Sequence, residues 1–461
     1  MANRQPLIKA IIARLKTSLT GLPAESKGLF SVTLAVPELQ LHLLPPLKNN
    51  WFYWGEPSRR EYLLGLGEAL RLSSRGTQRL KQLSDQFENI RSKWIQMDPD
   101  LTGLHATAFT GFAFNPDDPM IQAWTGLPNA AIFFPELLLH QTSEACAVTF
   151  TFTHTDSSRA TLRSQHLLQE LLDGLGANSG PKTRKTTLSR TGATPSNDEW
   201  INQVSSATSA IRMGRLDKVV PFRRISVKST HPFNPARLMA SLDDLHPSSI
   251  LFSVRLDGST FAAATPEHLI TRQGNKISCD AIGGTIKRAL NPDEDMKLGR
   301  SLLEDPKSRH EHALVVKGIL DSLKSHCHNL TAATSPSLKR LRNLQHLWTG
   351  INGKLSGDTT LLRVANDLHP TAAVSGFPSA SAERWLHDHK NNTRGWYTGA
   401  AGWLDNRGDG ELAVLLRCAL LNGERAELFA GAGVTSESCP IAELQETELK
   451  FGTMLEALEH A

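Results

Sequence analysis

Apolar positions along the chain follow two rhythms. Phe112–Phe114, Ala131–Phe134 and Ala147–Phe152 (AVTFTF) are short runs rich in β-branched and aromatic residues, and they predict strands. Between residues 57 and 97, Leu63, Leu64, Leu66, Ala69, Leu70, Leu80, Leu83 and Phe87 recur at three- and four-residue steps, which predicts helix. Gly174–Asp198 is different: Gly, Ser, Thr, Lys and Pro dominate and almost nothing can be buried. It is expected to be an exposed linker or loop, separating an N-terminal part, 1–173, from a C-terminal part, 199–461.

In the C-terminal part, strand-like runs fall at Lys218–Val220, Ile250–Arg255, Phe261–Ala264, Lys276–Ala281, Leu412–Arg417 and Glu427–Ala430. Helical periodicity marks Pro292–Leu303, Glu311–Leu323 and Ile441–Leu458. Strands and helices mixed without a regular βαβ rhythm predict an α+β fold. No G-x-G-x-x-G opens a strand–helix unit, so a nicotinamide-binding fold has no support.

Composition narrows the function. The 461 residues carry 50 Lys+Arg against 46 Asp+Glu, a net charge of +4. The basic residues are dispersed, and the run at 181–190 (PKTRKTTLSR) reads as solvated linker, so nucleic acid is not an expected partner. An acidic small molecule suits the charge as well. No apolar run reaches the roughly 18 residues of a membrane span. Lys9, Arg14 and Lys16 interrupt the N-terminal apolar residues, unlike a signal peptide. Five dispersed cysteines without a CxxC pair argue against a disulfide framework or structural zinc, and a cytoplasmic location is expected.

Several segments carry candidate chemistry. Phe429–Gly433 reads as a strand entering a Gly-x-Gly turn, a shape that brings backbone N–H groups close to an anion. Downstream, Glu443, Glu446 and Lys450 share one helix face, either as a solvated surface or as part of a site. Glu311, between His310 and His312, lacks the spacing of a zinc protease; it is either a helix-terminus charge or a ligand for a hard cation. Pro266 fixes a turn that presents Glu267, and Lys218 opens an apolar strand where burial can make it a base. Further motifs follow in order: Gly283-Gly284-Thr285, His346–Gly353, Leu368–Pro378 with Thr371, Arg394–Gly399 with Tyr397, and Leu415–Arg417. Alone, each reads as structural: turn glycines, buried histidines, a solvated arginine.

Their order and spacing resemble the chorismate-binding enzyme family across roughly residues 199–458, with a looser match through Trp51–Trp54, Gly111–Phe114 and Phe133–Glu136. The resemblance implies one large α+β unit with two β-sheets packed face to face and helices outside, so that the two parts become halves of one fold. Lys218 at the head of the K-V-V strand, and Thr371-Ala-Ala373-Val374-Ser, look like the water-adding isochorismate synthases. The implied reaction adds water at C2 of chorismate and expels the C4 hydroxyl, with Mg²⁺ as cofactor. Lys218 is then the general base and Glu267 the general acid. Glu311 and Glu446 would hold the Mg²⁺, with Glu443 engaged through water. Arg417, Tyr397 and the Gly431 and Gly433 backbone would take the enolpyruvyl carboxylate, with Lys450 lending charge. His346, Thr371, Gly284 and Thr285 would line the remainder. Gly283 stands where the family usually has Ala, and a slightly larger cavity is expected there. The product would serve menaquinone, catechol siderophore or salicylate biosynthesis, among which the sequence does not choose. A salicylate synthase, which also eliminates pyruvate, would use the same site. An anthranilate-type synthase would need an ammonia-supplying partner, and no glutaminase cysteine motif is evident; a monomer without such a subunit is expected.

Overall fold

The computed structural model describes residues 4–20, 28–37, 39, 41, 43–153, 157–177, 185–391 and 393–461. Among them, a 12-stranded sheet runs in the order Leu188–Thr194, Phe222–Ser229, Arg425–Gly431, Cys418–Asn422, Ser259–Thr265, Ile250–Leu256, Trp51–Glu56, Glu61–Leu66, Leu137–Gln141, Cys146–Phe152, Phe30–Ala35 and Ile95–Met97. Its neighbours are antiparallel except the final pair. A 10-stranded sheet contains Cys327–Ala332, Leu344–Leu355, Lys276–Lys287, His268–Gln273, Gly410–Val414, Ala400–Asp405, Thr107–Phe112, Ala130–Phe134 and Leu70–Ser74, with Ser337–Arg340 also paired to Leu344–Leu355. Lys218–Val219 and Gly376–Phe377 form a separate two-stranded ladder.

Strand alternation builds the layers. Along Ile250–Leu256, Ile250, Phe252, Val254 and Leu256 join the core between the sheets, whereas Leu251 joins the core beneath the helices. Phe52 crosses the interface to Phe109 and Phe133, with ring centroids 5.5 and 4.5 Å apart. Burying each such ring contributes about 1.5–3 kcal/mol. Helices Gln5–Leu19, Ser157–Ala177, Pro235–Leu245 and Pro440–Leu458 cover the 12-stranded sheet. Arg79–Arg91, Asn197–Arg212, Pro306–Leu323, Leu361–Leu368 and Ser379–Asp388 cover the other.

Both sheets contain strands from either side of Gly174–Asp198: Trp51–Glu56 pairs with Ile250–Leu256, and Thr107–Phe112 pairs with Ala400–Asp405. Two expectations change. Of residues 57–97, only Arg79–Arg91 is α-helix, while Glu61–Leu66 and Leu70–Ser74 are strands. Leu63 faces the inter-sheet core and Leu64 the helix-covered core, so both strand faces are apolar and the two-residue alternation is hidden. Within 174–198, Leu188–Thr194 is an exposed edge strand and Asn197 begins a helix capped by Ser196 and Glu199. Residues 178–184 lie outside the described residues.

Two crossings between the sheets prepare the site. Pro266-Glu267 links Ser259–Thr265 of the 12-stranded sheet to His268–Gln273 of the other, and Leu415–Arg417 returns from Gly410–Val414 to Cys418–Asn422. They lie side by side, with Val414 N–H donating to Glu267 O at 3.0 Å and Ala264 N–H to Arg417 O at 3.1 Å.

Candidate active site

A cleft enclosing about 730 Å³, solvent at its mouth included, opens over these crossings. Its walls include Glu267, Gly283, Gly284, Thr285, Glu311, His346, Tyr397, Arg417, Gly431, Gly433, Glu446 and Lys450. Eleven of the fourteen residues singled out from the sequence therefore share one cleft, all but Lys218, Thr371 and Glu443.

Glu267 is 2% exposed, and its Oε1 has no hydrogen-bond partner. Burial, then the neighbouring Asp280 charge, raises its titration point from 4.5 to about 8. Lys339, Lys218 and Arg417 oppose the rise without cancelling it. A carboxyl in this state is a proton donor at neutral pH, with a free oxygen for a reacting group.

Lys218 is 1% exposed, and the ladder to Gly376–Phe377 fixes its backbone. Its Nζ lies 3.0 Å from Glu311 Oε1, which brings it to the cleft through Glu311. Glu311 stands inside the Pro306–Leu323 helix, whose first turn Asp305 caps, rather than at the helix start. Burial works to raise the Glu311 titration point, but the Lys218 charge and hydrogen bond, together with the Lys450 and Lys307 charges, outweigh it and hold the carboxylate below its ordinary value. The other two carboxylates have lysine partners too: Glu446 with Lys450 at 2.7 Å and Glu443 with Lys307 at 3.0 Å. Glu443 lies one turn before Glu446; burial, then repulsion from Glu446, lifts its titration point to about 7.

Among the described residues, no group of three or more His, Cys, Asp or Glu side chains converges as a metal centre. Two carboxylates in a cleft meet the smaller demand of Mg²⁺, which takes one or two from protein and completes its shell with water and substrate oxygens. The fit has a steric signature. A Cβ on Gly433 would fall within contact distance of Glu311 Oε1 and 3.1 Å from Lys218 Cε, so only glycine leaves that carboxylate room. Glu311 and Glu446 can hold such an ion, with Glu443 behind them.

The floor is a β-bulge. Lys276–Lys287 shifts register against Leu344–Leu355 between Gly283 and Thr285, with Gly284 at φ +70. This sets Thr285 opposite His346, whose Nδ1 lies 3.1 Å from Thr285 Oγ1 and 3.3 Å from Gly284 O. Arg417 Nη2 donates to His346 Nε2 at 2.7 Å. Nε2 is therefore the acceptor and Nδ1 carries the proton, toward the Gly284 carbonyl. Burial, then Arg417, pushes His346 well below its ordinary titration point, consistent with the neutral ring. Arg417 itself has φ 47, the left-handed region, which aims its guanidinium from the crossing into the cleft. The larger cavity expected at Gly283 is not found. A Cβ there would point at His312 Cα, 3.3 Å away, and at Val315, into the Pro306–Leu323 helix rather than the cleft.

Tyr397 stacks on Phe429 at 5.5 Å, with its hydroxyl near Gly431. Lys450 Nζ donates to Gly431 O at 2.8 Å, tying the glycine turn to the last helix. Thr371 is buried behind Ala373 and Val374, which do line the cleft, and its Oγ1 has no partner. Sequence reasoning gave no role to Lys307 or Asp280. Lys307 had a signal, one helical turn before Glu311; Asp280, a single charge on a strand, had none.

The family model for chorismate binding enzyme matches residues 17–459. The chain is 31% identical over 468 residues to the salicylate biosynthesis isochorismate synthase of Pseudomonas aeruginosa, covering 99% of this chain and 97% of that protein. It is 29% identical over 422 residues to isochorismate synthase MenF of Bacillus subtilis, covering 89% and 88%. The solved menaquinone-specific isochorismate synthase MenF from Escherichia coli superposes with a TM-score of 0.82 at 25% identity, covering 98% of this chain and 99% of that one. Anthranilate synthase component I from Streptococcus pneumoniae, at 20% identity and a TM-score of 0.68, shares the fold. With the motif order, the two-sheet architecture and the cleft all in agreement, the chain belongs to the chorismate-binding enzyme family.

Proposed function

We propose that this protein is an isochorismate synthase, converting chorismate to isochorismate by adding water at C2 and losing the C4 hydroxyl. The observation that carries the reading is Glu267, buried in the cleft, protonated near neutral pH and holding an unpartnered oxygen. Expulsion of hydroxide from C4 requires such a donor. The relatives at 31% and 29% identity are named isochorismate synthases, which supports water as the nucleophile.

Lys218 acts as the general base. It takes a proton from the attacking water, the ring double bonds shift, and Glu267 delivers its proton to the oxygen leaving C4. The two transfers balance, and each is worth about 10²–10⁴ in rate. Glu311 and Glu446, with Glu443 through water, are the residues to hold Mg²⁺, which when bound supplies positive charge for the ring carboxylate of a dianionic substrate. Arg417 and Tyr397 orient the enolpyruvyl carboxylate with the Gly431 and Gly433 backbone, and Lys450 adds charge. His346, braced by Thr285 and Gly284, holds Arg417 in place, and Thr371 supports the wall behind Ala373. Water as nucleophile removes the need for an ammonia-supplying subunit, and the enzyme works as a monomer. A cytoplasmic setting suits buried thiols at Cys279, Cys327 and Cys418. Among the described residues, no helix is long and apolar enough to cross a membrane.

Incubating the purified protein with chorismate, in Mg²⁺ or in EDTA, and separating the products by chromatography tests the reading. Isochorismate as the sole new product, lost in EDTA, is expected. Salicylate with equal pyruvate would reassign it to a salicylate synthase, and no conversion would overturn it.

A further inference from the structure

Asp280 lies on the Lys276–Lys287 strand, four residues before Gly284, and its side chain is 12% exposed. Three donors hold its carboxylate. Oδ2 accepts the backbone N–H of His268, the residue after Glu267, at 3.1 Å. Oδ1 accepts the Trp348 indole N–H at 2.7 Å. Lys339 Nζ, from the Ser337–Arg340 strand, donates to Oδ2 at 3.2 Å. Asp280 is not on the cleft wall; it lines a separate open pocket of about 780 Å³, solvent at its mouth included, with His268, Arg59 and Glu411. It thus stands behind Glu267, bonded to the peptide that follows it.

A fixed carboxylate beside a second carboxyl disfavours ionisation of the second. Of the charges bearing on Glu267, Asp280 is the one that raises its titration point, whereas Lys339, Lys218 and Arg417 lower it. The titratable groups that Asp280 acts on or pairs with are Lys339, Glu267, Cys279 and His268, the last kept toward its neutral form by burial, and Arg59, Lys276 and Glu411 line the same pocket.

We propose that Asp280 is a positioning residue for the reaction: it anchors the Pro266-Glu267 turn through the His268 N–H and, by its charge, keeps Glu267 in the proton-donating form, with Lys339 opposing that charge. The proposal rests on the reading of Glu267 as general acid.

The test is the pH profile of kcat for wild type, Asp280→Asn, Lys339→Met and the double variant, with circular dichroism to check folding. Asp280→Asn should move the alkaline limb to lower pH by about one unit, because the raising charge is gone. Lys339→Met should move it to higher pH, and the double variant should fall between the two. A purely structural role would lower kcat without displacing the limb, or displace both limbs in one direction; either result overturns the proposal. If Asp280→Asn does not fold, Lys339→Met decides alone, and an unmoved limb overturns it. A wild-type protein that makes no isochorismate would overturn the function itself, a failure distinct from unmoved limbs in active variants.

Discussion

Replacing Glu267 by Gln keeps the shape of the side chain and removes its titration, so activity and stability should change in opposite directions. In the fold the titration point rises from 4.5 to about 8. At about 1.4 kcal/mol per pH unit, ionised Glu267 costs the folded state about 5 kcal/mol. Because the folded value is raised, stability from this group is complete below about pH 4.5, declines as pH rises through about 8, and then levels off. The Gln variant lacks this decline. Water entering the cleft trims the effect, so the variant should gain at least about 2 kcal/mol relative to wild type between roughly pH 5 and pH 9. Urea unfolding midpoints at the two pH values measure it. At neutral pH, where wild-type Glu267 is about nine-tenths protonated, the same variant should lose about 10²–10⁴ in kcat. Parallel pH dependences of stability in the two proteins would refute the buried-acid argument, whatever happened to activity.

Other expectations follow from the same geometry. Wild-type kcat should fall as pH rises through about 8, where Glu267 loses the proton it must donate, and steady-state kinetics across that range would record it. Gly433→Ala should push Glu311 away from Lys218 and weaken Mg²⁺ binding at least about tenfold by calorimetry, with the circular dichroism spectrum unchanged. Arg417→Lys cannot reproduce a guanidinium that donates to His346 and is proposed to take the enolpyruvyl carboxylate, so KM for chorismate should rise about tenfold or more. Removing Mg²⁺ with EDTA should abolish turnover while leaving the far-ultraviolet spectrum intact, because each of the three carboxylates already has a lysine partner in Lys218, Lys307 or Lys450.

The sequence pattern revealed the catalytic half more readily than the architecture. Pro306–Leu323 and Pro440–Leu458 carry apolar residues at three- and four-residue steps, and Ile250–Leu256 is dense in apolar residues, so local pattern announces them. Glu61–Leu66 misleads because helices cover one face and a second sheet covers the other, which erases alternation. Leu188–Thr194 misleads in the opposite sense: as an exposed edge strand it needs almost no apolar residues. The pairing of Trp51–Glu56 with Ile250–Leu256 joins distant stretches of chain and leaves no local trace. At the site, glycines and paired charges carried enough order to bring eleven residues into one cleft. Gly283 shows the limit of that reading: its missing side chain opens toward His312 rather than substrate, a direction only the bulge geometry sets. Asp280 acts through a peptide N–H, a contact that no residue pattern encodes.

On the proposed mechanism, water deprotonated by Lys218 becomes the C2 hydroxyl while the C4 oxygen leaves. Turnover of chorismate in heavy-oxygen water, followed by mass spectrometry of the isochorismate, tests it directly. One solvent-derived oxygen at C2 is expected at initial rate, with Lys218→Ala nearly inactive. Unlabelled isochorismate would contradict it, because the C4 oxygen would then have migrated to C2 without any water being activated.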